Sequence, residues 1–481
     1  MKTNRFLSVC LILFAISTLS SGQTLEWSNT QKLRGNSIFT TIIGEDEAGI
    51  YVLRHRNKFI SKFIVLERYR HNLGLESSKS YLLKNTRIVY TDVNETGILL
   101  IKEVYDRKKN SSKLIATLLN NSFEAIQPEM TINLPYQASS VNDPIFSIKP
   151  SPDHKHYLIL YNQISNSNKN FYGFAIIDQR VNTINSGELL TDEVLNTGSI
   201  ENVVLDKNLK ITLLINLKKN QNHFNSFAIY EQNTLKIIAD TSYSFEKPVL
   251  FYNPITNEKG VTGYYTSNIE NGFEGDFSLS WKNLNEDSIH IKTQQFSHSI
   301  LKELVGETKA QTGFLPSSYI PLKLICRTDG GFVKISENTF IQKEQDIMVV
   351  NGVPSAQGKN IYIFENIIIR NFDSTGSLTW ENWITKNQNS VNDGGLLGSA
   401  FVSATQYSVN VLYNDPIATG GDIVLAKILL NGQSEIKVTA KGEEMNSFII
   451  PAEGRQISAD KIIVPVLKDR KFALLKITFK Q

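Results

Sequence analysis

Residues 39–56 read FTTIIGEDEAGIYVLRHR. Two runs of alternating apolar residues flank a short polar stretch holding Gly44, Asp46 and Gly49. β-Branched and aromatic residues in alternation specify strands with one buried face, and the polar break specifies a tight reversal between them. The same plan returns at RIVYTDVNETGILLIKEV (87–104), IFSIKPSPDHKHYLILYN (145–162), IENVVLDKNLKITLLIN (200–216) and PVLFYNPITNEKGVTGYYT (248–266). KLICRTDGGFVKISE (323–337), SAFVSATQYSVNVLYND (399–415) and GRQISADKIIVPVL (454–467) complete the series. Eight hairpins at a pitch of roughly 50 residues are the mark of radial repetition.

A second hairpin follows most of these, as in KFIVLERYRHNLGLESSKSYLL (62–83) and DIVLAKILLNGQSEIKVT (422–439). NIIIRNFDSTGSLTWENWI (366–384) belongs to the same set, so its Asp373, Gly376 and Trp380 read as a turn and its flank. Four strands per unit make a blade. The expected fold is an all-β propeller of eight blades with four antiparallel strands each; seven is the alternative if one hairpin is mis-paired. The last unit holds only KIIVPVL and FALLKITF after Asp460, while TLEWSN (24–29) precedes the first with nothing to pair with. Strand exchange between the termini completes the eighth blade and removes an open seam. Helix is expected only over 299–307.

The first 22 residues place Lys2 and Arg5 before an apolar run ending near Leu19, then Ser20, Ser21 and Gly22. This is the pattern of a secretory signal. The expected organisation is 1–22 signal peptide and 23–481 one propeller domain, exported to the periplasm, the outer surface or the medium and monomeric. No later segment is long and apolar enough to span a bilayer as a helix. Of the two cysteines, Cys10 leaves with the signal, and Cys326 lies in the apolar strand LKLICRT as an inert thiol. Losing Lys2 and Arg5 takes the net charge from +3 to +1, since residues 1–22 hold no acid. A near-neutral chain has no electrostatic reason to seek nucleic acid or anionic membrane.

SPDHKHYLILY (151–161) resembles the repeat of TolB-type propellers, and DSTGSLTW (373–380) resembles that of quinoprotein-like propellers, in which a Gly precedes a Trp by four. Residues 320–415 are similar to a set of uncharacterised secreted propellers of Gram-negative bacteria. These resemblances imply fold and export and no activity. A sialidase box is out of register, with Gly376 three after Asp373 and Leu378 in the Thr position. A quinone dehydrogenase wants paired cysteines, and WD repeats want Gly-His and Trp-Asp marks, which are missing. No zinc helix, nucleophile elbow or phosphate loop occurs. His154 and His156 form the one close histidine pair, and His154 reads as a turn residue. No cofactor and no metal are expected.

Within each unit the first and second hairpin turns share one face of the ring, the turn face, and the remaining connections share the loop face. The long connections fall at 297–321, 338–359 and 386–398, over one sector of units five to seven, and long loops are where function concentrates. Glu337, Lys386, Gln388, Asp393, Asn414 and Asp415 end strands or follow them there. These six are the candidate ligand- or partner-binding residues, because such groups around a mouth hold a polar partner by directional hydrogen bonds. The alternative is that they cap strand ends. No catalytic residue is assigned. The expected function is a non-catalytic binding scaffold for a protein or glycan of the envelope or medium. The alternatives are a glycoside hydrolase or lyase using Glu337 and Asp415, and a structural part of an envelope assembly.

Overall fold

The structure is a computed structural model. It describes residues 23–480 except 33–39, 58–61, 84, 107–110, 133, 135–144, 165–169, 190–197, 218–224, 233, 241, 285–289, 351–352, 418–420, 442–446 and 469–470. The proposed signal, 1–22, lies outside the described residues.

Eight antiparallel sheets follow one another in chain order. Blade one is Thr40–Asp46, Gly49–Asn57, Lys62–Tyr69 and Leu75–Leu83, paired in that order. Blades two to five repeat the plan, beginning at Thr86, Ile145, Gly198 and Ser244, and blades six and seven begin at Tyr319 and Ala400. The first strands lie innermost and touch those of the neighbouring blades all the way round, closing a ring of eight. Most of them carry a bulge, as at Ile42/Gly44, Ile88/Tyr90 and Ile200/Asn202. Bulges sharpen the twist that radial packing demands.

The core lies between blades. Ile43, Leu53 and Leu66 of blade one meet Ile98 and Leu100 of blade two. Equivalent clusters join two to three, three to four and four to five. Six meets seven through Ile335, Ile369 and Val411, seven meets eight through Leu425 and Val464, and eight returns to one through Ile463, Leu474 and Val52. Alternation puts one row of each strand toward either neighbour, which is why apolar residues fill both faces of the middle strands.

Closure occurs as the sequence implies. Gln23–Trp27 pairs antiparallel with Lys471–Phe479, Gln23 facing Phe479 and Trp27 facing Leu475, and so supplies the outer strand of blade eight. Ser28 adds a two-way clamp: its N–H donates to the Leu474 carbonyl at 3.0 Å, and the Leu474 N–H donates to its Oγ at 2.8 Å. The inner strand of that blade is broken by the single-turn helix Pro451–Glu453. Arg455, just beyond, donates to the Ile42 carbonyl at 3.2 Å and pairs with Asp92 of blade two at 3.1 Å. One side chain thereby ties blade eight to blades one and two across the seam.

The turn-face reversals use one device repeatedly. The Asn120, Asp178, Asp206 and Asp373 side chains each accept the backbone N–H groups of the residues two and four further on, at 2.7–3.0 Å. The residue three on from each, Phe123, Val181, Leu209 or Gly376, has φ between 62° and 80°. The stretch DSTGS is thus one copy of a common turn, as expected.

Two expectations differ. Residues 338–359 do not form a loop: Phe332–Val350 and Val353–Phe372 are two long strands of a single hairpin. The helix begins one residue early, at His298–Val305, and Glu307–Ala310 forms a second short helix.

Candidate functional site

The three long segments meet on the loop face of blade six. Helix His298–Val305 is capped by Ser297, whose Oγ accepts the Ile300 N–H at 3.2 Å and donates to Glu381 of the outer strand. Its Ile300 and Leu301 pack on Tyr264, Phe273 and Ile368, across blades five and six. The Thr339 N–H donates to the Ser318 carbonyl at 3.2 Å, tying 297–321 to the long hairpin. Gln388–Val391 pairs with Ile361–Phe364, so the third segment becomes an added strand of that hairpin. Gly395 and Gly398 lie against the Phe364 ring, where a Cβ at Gly398 would come within 2.2 Å of it.

The hairpin outgrows its blade. The inner strand Tyr319–Cys326 stops pairing at Asn338, and the outer strand Leu378–Ile384 stops at Ile367. Beyond these points the two central strands continue in register from Thr339↔Phe364 to Val350↔Val353. Twelve residues of extended chain amount to roughly 40 Å of strand. Phe340, Ile341 and Val391 on this arm are 40%, 56% and 46% exposed. Successive residues of a strand face opposite ways, so Phe340 and Ile341 place apolar surface on both sides.

Five of the six candidate polar residues come together at the base of this arm, four of them inside the protein and Asp415 half-buried. Glu337, Lys386, Gln388 and Asn414 are each no more than 3% exposed. Lys386 Nζ sits 2.7 Å from Glu337 Oε1 and donates to Gln388 Oε1 at 2.7 Å. Glu337 Oε2 accepts the Ser399 hydroxyl at 2.6 Å. Gln388 donates to the Asn414 carbonyl. Asn414 reaches into blade eight, accepting the Ile449 N–H at 3.0 Å and donating to the Ile449 carbonyl at 2.9 Å. Burial pushes the Lys386 ammonium pKa down, against the pull of Glu337 and Asp415. Half-buried Asp415 has its carboxyl pushed up by burial, with Lys386 opposing and Asp422 adding to the rise.

Asp393 stands apart: exposed, it accepts the Ser390 hydroxyl at 2.7 Å and the Gly395 N–H at 2.8 Å to cap a turn. The network joins blades six, seven and eight through the Lys386–Glu337 ion pair and the hydrogen bonds of Gln388 and Asn414. Glu337 has both oxygens engaged and none presented to solvent, so the geometry lends no support to Glu337 and Asp415 as a catalytic pair. The exposed apolar residues of the arm are the feature that sequence reading missed. Their signal was weak, because QKEQDIMVV lacks the clean alternation of a half-buried strand.

Elsewhere, His154 adopts φ 55°, as a turn position requires, and its Nδ1 lies 2.7 Å from buried Asp92. Cys326 is partly buried, its thiol pushed up to about 11 by burial. Among the described residues no cluster of three or more His, Cys, Asp or Glu has metal-binding geometry, and no helix is long and apolar enough to cross a membrane.

No family model matches the chain, and no curated protein matches it in sequence. Solved structures similar to it include the WD40 domain of SCAP from fission yeast, at 10% identity and a TM-score of 0.42 over 95% of this chain and 98% of that one. The β-propeller domain of the Trilobed protease from Pyrococcus furiosus matches at 10% identity and a TM-score of 0.35, over 85% of this chain and 94% of that one. A structure from a study of two prolyl endopeptidases matches at 10% identity and a TM-score of 0.40; the match covers 93% of this chain but only 55% of that one.

Proposed function

We propose that this chain is an exported, non-catalytic propeller that serves as a binding scaffold for a protein or glycan of the cell envelope or medium. The partner docks on the loop face of blades five to seven. The arm of blade six carries this reading, because it exposes Phe340, Ile341 and Val391 on strands that continue past the blade they belong to. Exposed apolar side chains on a projecting ribbon favour a protein partner over a glycan. The inner side of the arm also leaves an edge from Phe340 to Gln345 that pairs with no described strand, and such edges accept a partner strand. The charge pattern and apolar run of residues 1–22, with the likeness to secreted bacterial propellers, support export. The buried network beneath the arm acts as its foundation, fixing blades six to eight in one geometry.

The test compares residues 23–481 with a variant in which 343–360 are replaced by Asn-Gly, a two-residue hairpin turn, and Phe340, Ile341 and Val391 are each replaced by Thr. Both are offered to envelope extract and to culture medium after their thermal stabilities are matched. A partner retained by the first and lost by the second supports the reading. Equal capture by both refutes it, since the binding surface then lies elsewhere on the ring.

A further inference from the structure

The turn face between blades five and six holds a cleft of ≈ 260 Å³. It lies on the opposite side of the ring from the arm and is independent of it. Its apolar lining is Phe251 and Leu279 of blade five and Phe332 of blade six, and the two ring centroids are 5.2 Å apart. Around them stand the hydroxyls of Ser278, Ser280 and Ser374, the ammonium of Lys292, the imidazole of His290 and the carboxylate of Asp373.

These groups are supplied for hydrogen bonding but do not use one another. Ser278 is only 6% exposed, yet its hydroxyl makes no hydrogen bond among the described residues. Lining the cleft, this hydroxyl is both a donor and an acceptor free for a ligand. Gly376 opposite it has φ 80°, and a Cβ there would come within 2.6 Å of that hydroxyl. The glycine thus serves both the turn and the opening of the cleft. Asp373 spends Oδ1 on the Thr375 and Ser377 N–H groups, at 2.8 and 3.0 Å, and on the Thr375 hydroxyl at 2.7 Å. Its Oδ2 accepts no hydrogen bond among the described residues. Exposed Lys292 forms no ion pair among them either, although it lies near enough to favour the ionised Asp373.

The charges select a class of ligand. The fixed positive charge of Lys292 and the negative charge of Asp373 cancel, so an anion meets Asp373 and a cation meets Lys292. A neutral polyol meets donors and acceptors alike, and the two rings accept the C–H face of a sugar. The volume lies just under the range of about 300–1,000 Å³ that holds drug-sized ligands, which suits one small ring rather than a peptide. We infer that this inter-blade cleft binds a single neutral sugar residue, free or at the end of a glycan.

Saturation-transfer NMR on residues 23–481 with the methyl glycosides of glucose, galactose, mannose and N-acetylglucosamine tests this, with glucuronate and glucosamine as charged comparisons. At least one neutral glycoside is expected to bind. Lys292→Ala should weaken that binding about tenfold, the loss of one charge-assisted hydrogen bond, and Ser280→Trp should abolish it by filling the cleft. Both residues are exposed, so both variants should melt with the parent. Binding of no neutral glycoside, binding of the charged sugars alone, or retention of binding by both variants would overturn the inference. The variant lacking 343–360 should bind the sugar undiminished, which separates this site from the arm.

Discussion

Replacing Lys386 by Met should destabilise the protein far more than loss of a typical ion pair. The Lys386 side chain is 0% exposed and that of Glu337 is 2%. Without Lys386, Glu337 keeps only the Ser399 hydroxyl as a hydrogen-bond partner among the described residues, and its charge remains in the interior. Breaking a buried pair from one side costs about 3–5 kcal/mol, because the charge left behind is uncompensated. Gln388 also loses the donor to its Oε1, which adds the cost of an unsatisfied acceptor, about 1–3 kcal/mol when buried. Urea unfolding of residues 23–481 should therefore show a lowered midpoint with an unchanged slope, equivalent to at least about 3 kcal/mol. Adding Glu337→Gln removes the stranded charge and should recover more than half of the loss. A single-variant cost below about 1 kcal/mol, the scale of an exposed pair, would refute the reasoning. So would a double variant as unstable as the sum of the two singles.

Three further outcomes follow from other parts of the ring. Removing residues 23–32 uncovers strand Lys471–Phe479 and the partly buried Leu25 and Trp27; calorimetry should show a loss of about 2–4 kcal/mol, and light scattering should show association through the bared edge. His154→Asn keeps a residue suited to φ 55° but removes the imidazole beside Asp92. The Asp92 hydrogen bond raises the His154 pKa, against burial and the Arg455 charge. The stabilisation is thus fully present below the unfolded value of about 6.5 and is lost as pH rises through the folded value. The variant should therefore cost about 0.5–1 kcal/mol at about pH 5.5 and little at about pH 8.5 in paired urea titrations, a modest figure because the imidazole is partly solvated. Cys326, partly buried and with its thiol pushed up to about 11 by burial, should react with an aromatic disulfide reagent at neutral pH about 100-fold more slowly than a free thiol; labelling at the free-thiol rate would contradict this.

The architecture was legible because a propeller states its rule eight times. Alternation gave each strand, and the polar breaks gave each turn, so one ambiguous hairpin did not disturb the count. The turns were less legible in detail. Leu73, Phe123 and Val181 hold φ of 62–69° and are buried, whereas positive φ is ordinarily read from Gly or Asn. What identifies the turns at Phe123 and Val181 is the Asn or Asp three residues earlier, at 120 and 178, which holds the backbone while the apolar side chain packs between blades; Leu73 follows Arg70 and carries no such mark. The loop-face site was legible as a neighbourhood but not as a surface. Glu337 and Lys386 are 49 positions apart, and nothing local shows that one neutralises the other in the interior. The arm was hidden for the opposite reason: the sequence from Gln342 to Val350 has no regular apolar alternation, so it lacks the period that reveals strands, and the two strands are held by backbone pairing with each other. The cleft between blades five and six likewise brings together 251, 278, 292, 332 and 373, which only the packing of one blade on the next makes neighbours.

The claim that the arm is the docking surface is tested most directly by site-specific photo-crosslinking in envelope extract. A photoreactive side chain is placed at Ile341 on the arm or at Tyr407 on the turn face, which are 56% and 48% exposed. The account predicts one discrete adduct from position 341 and none from position 407. An adduct from position 407 alone, or none from either, would contradict it.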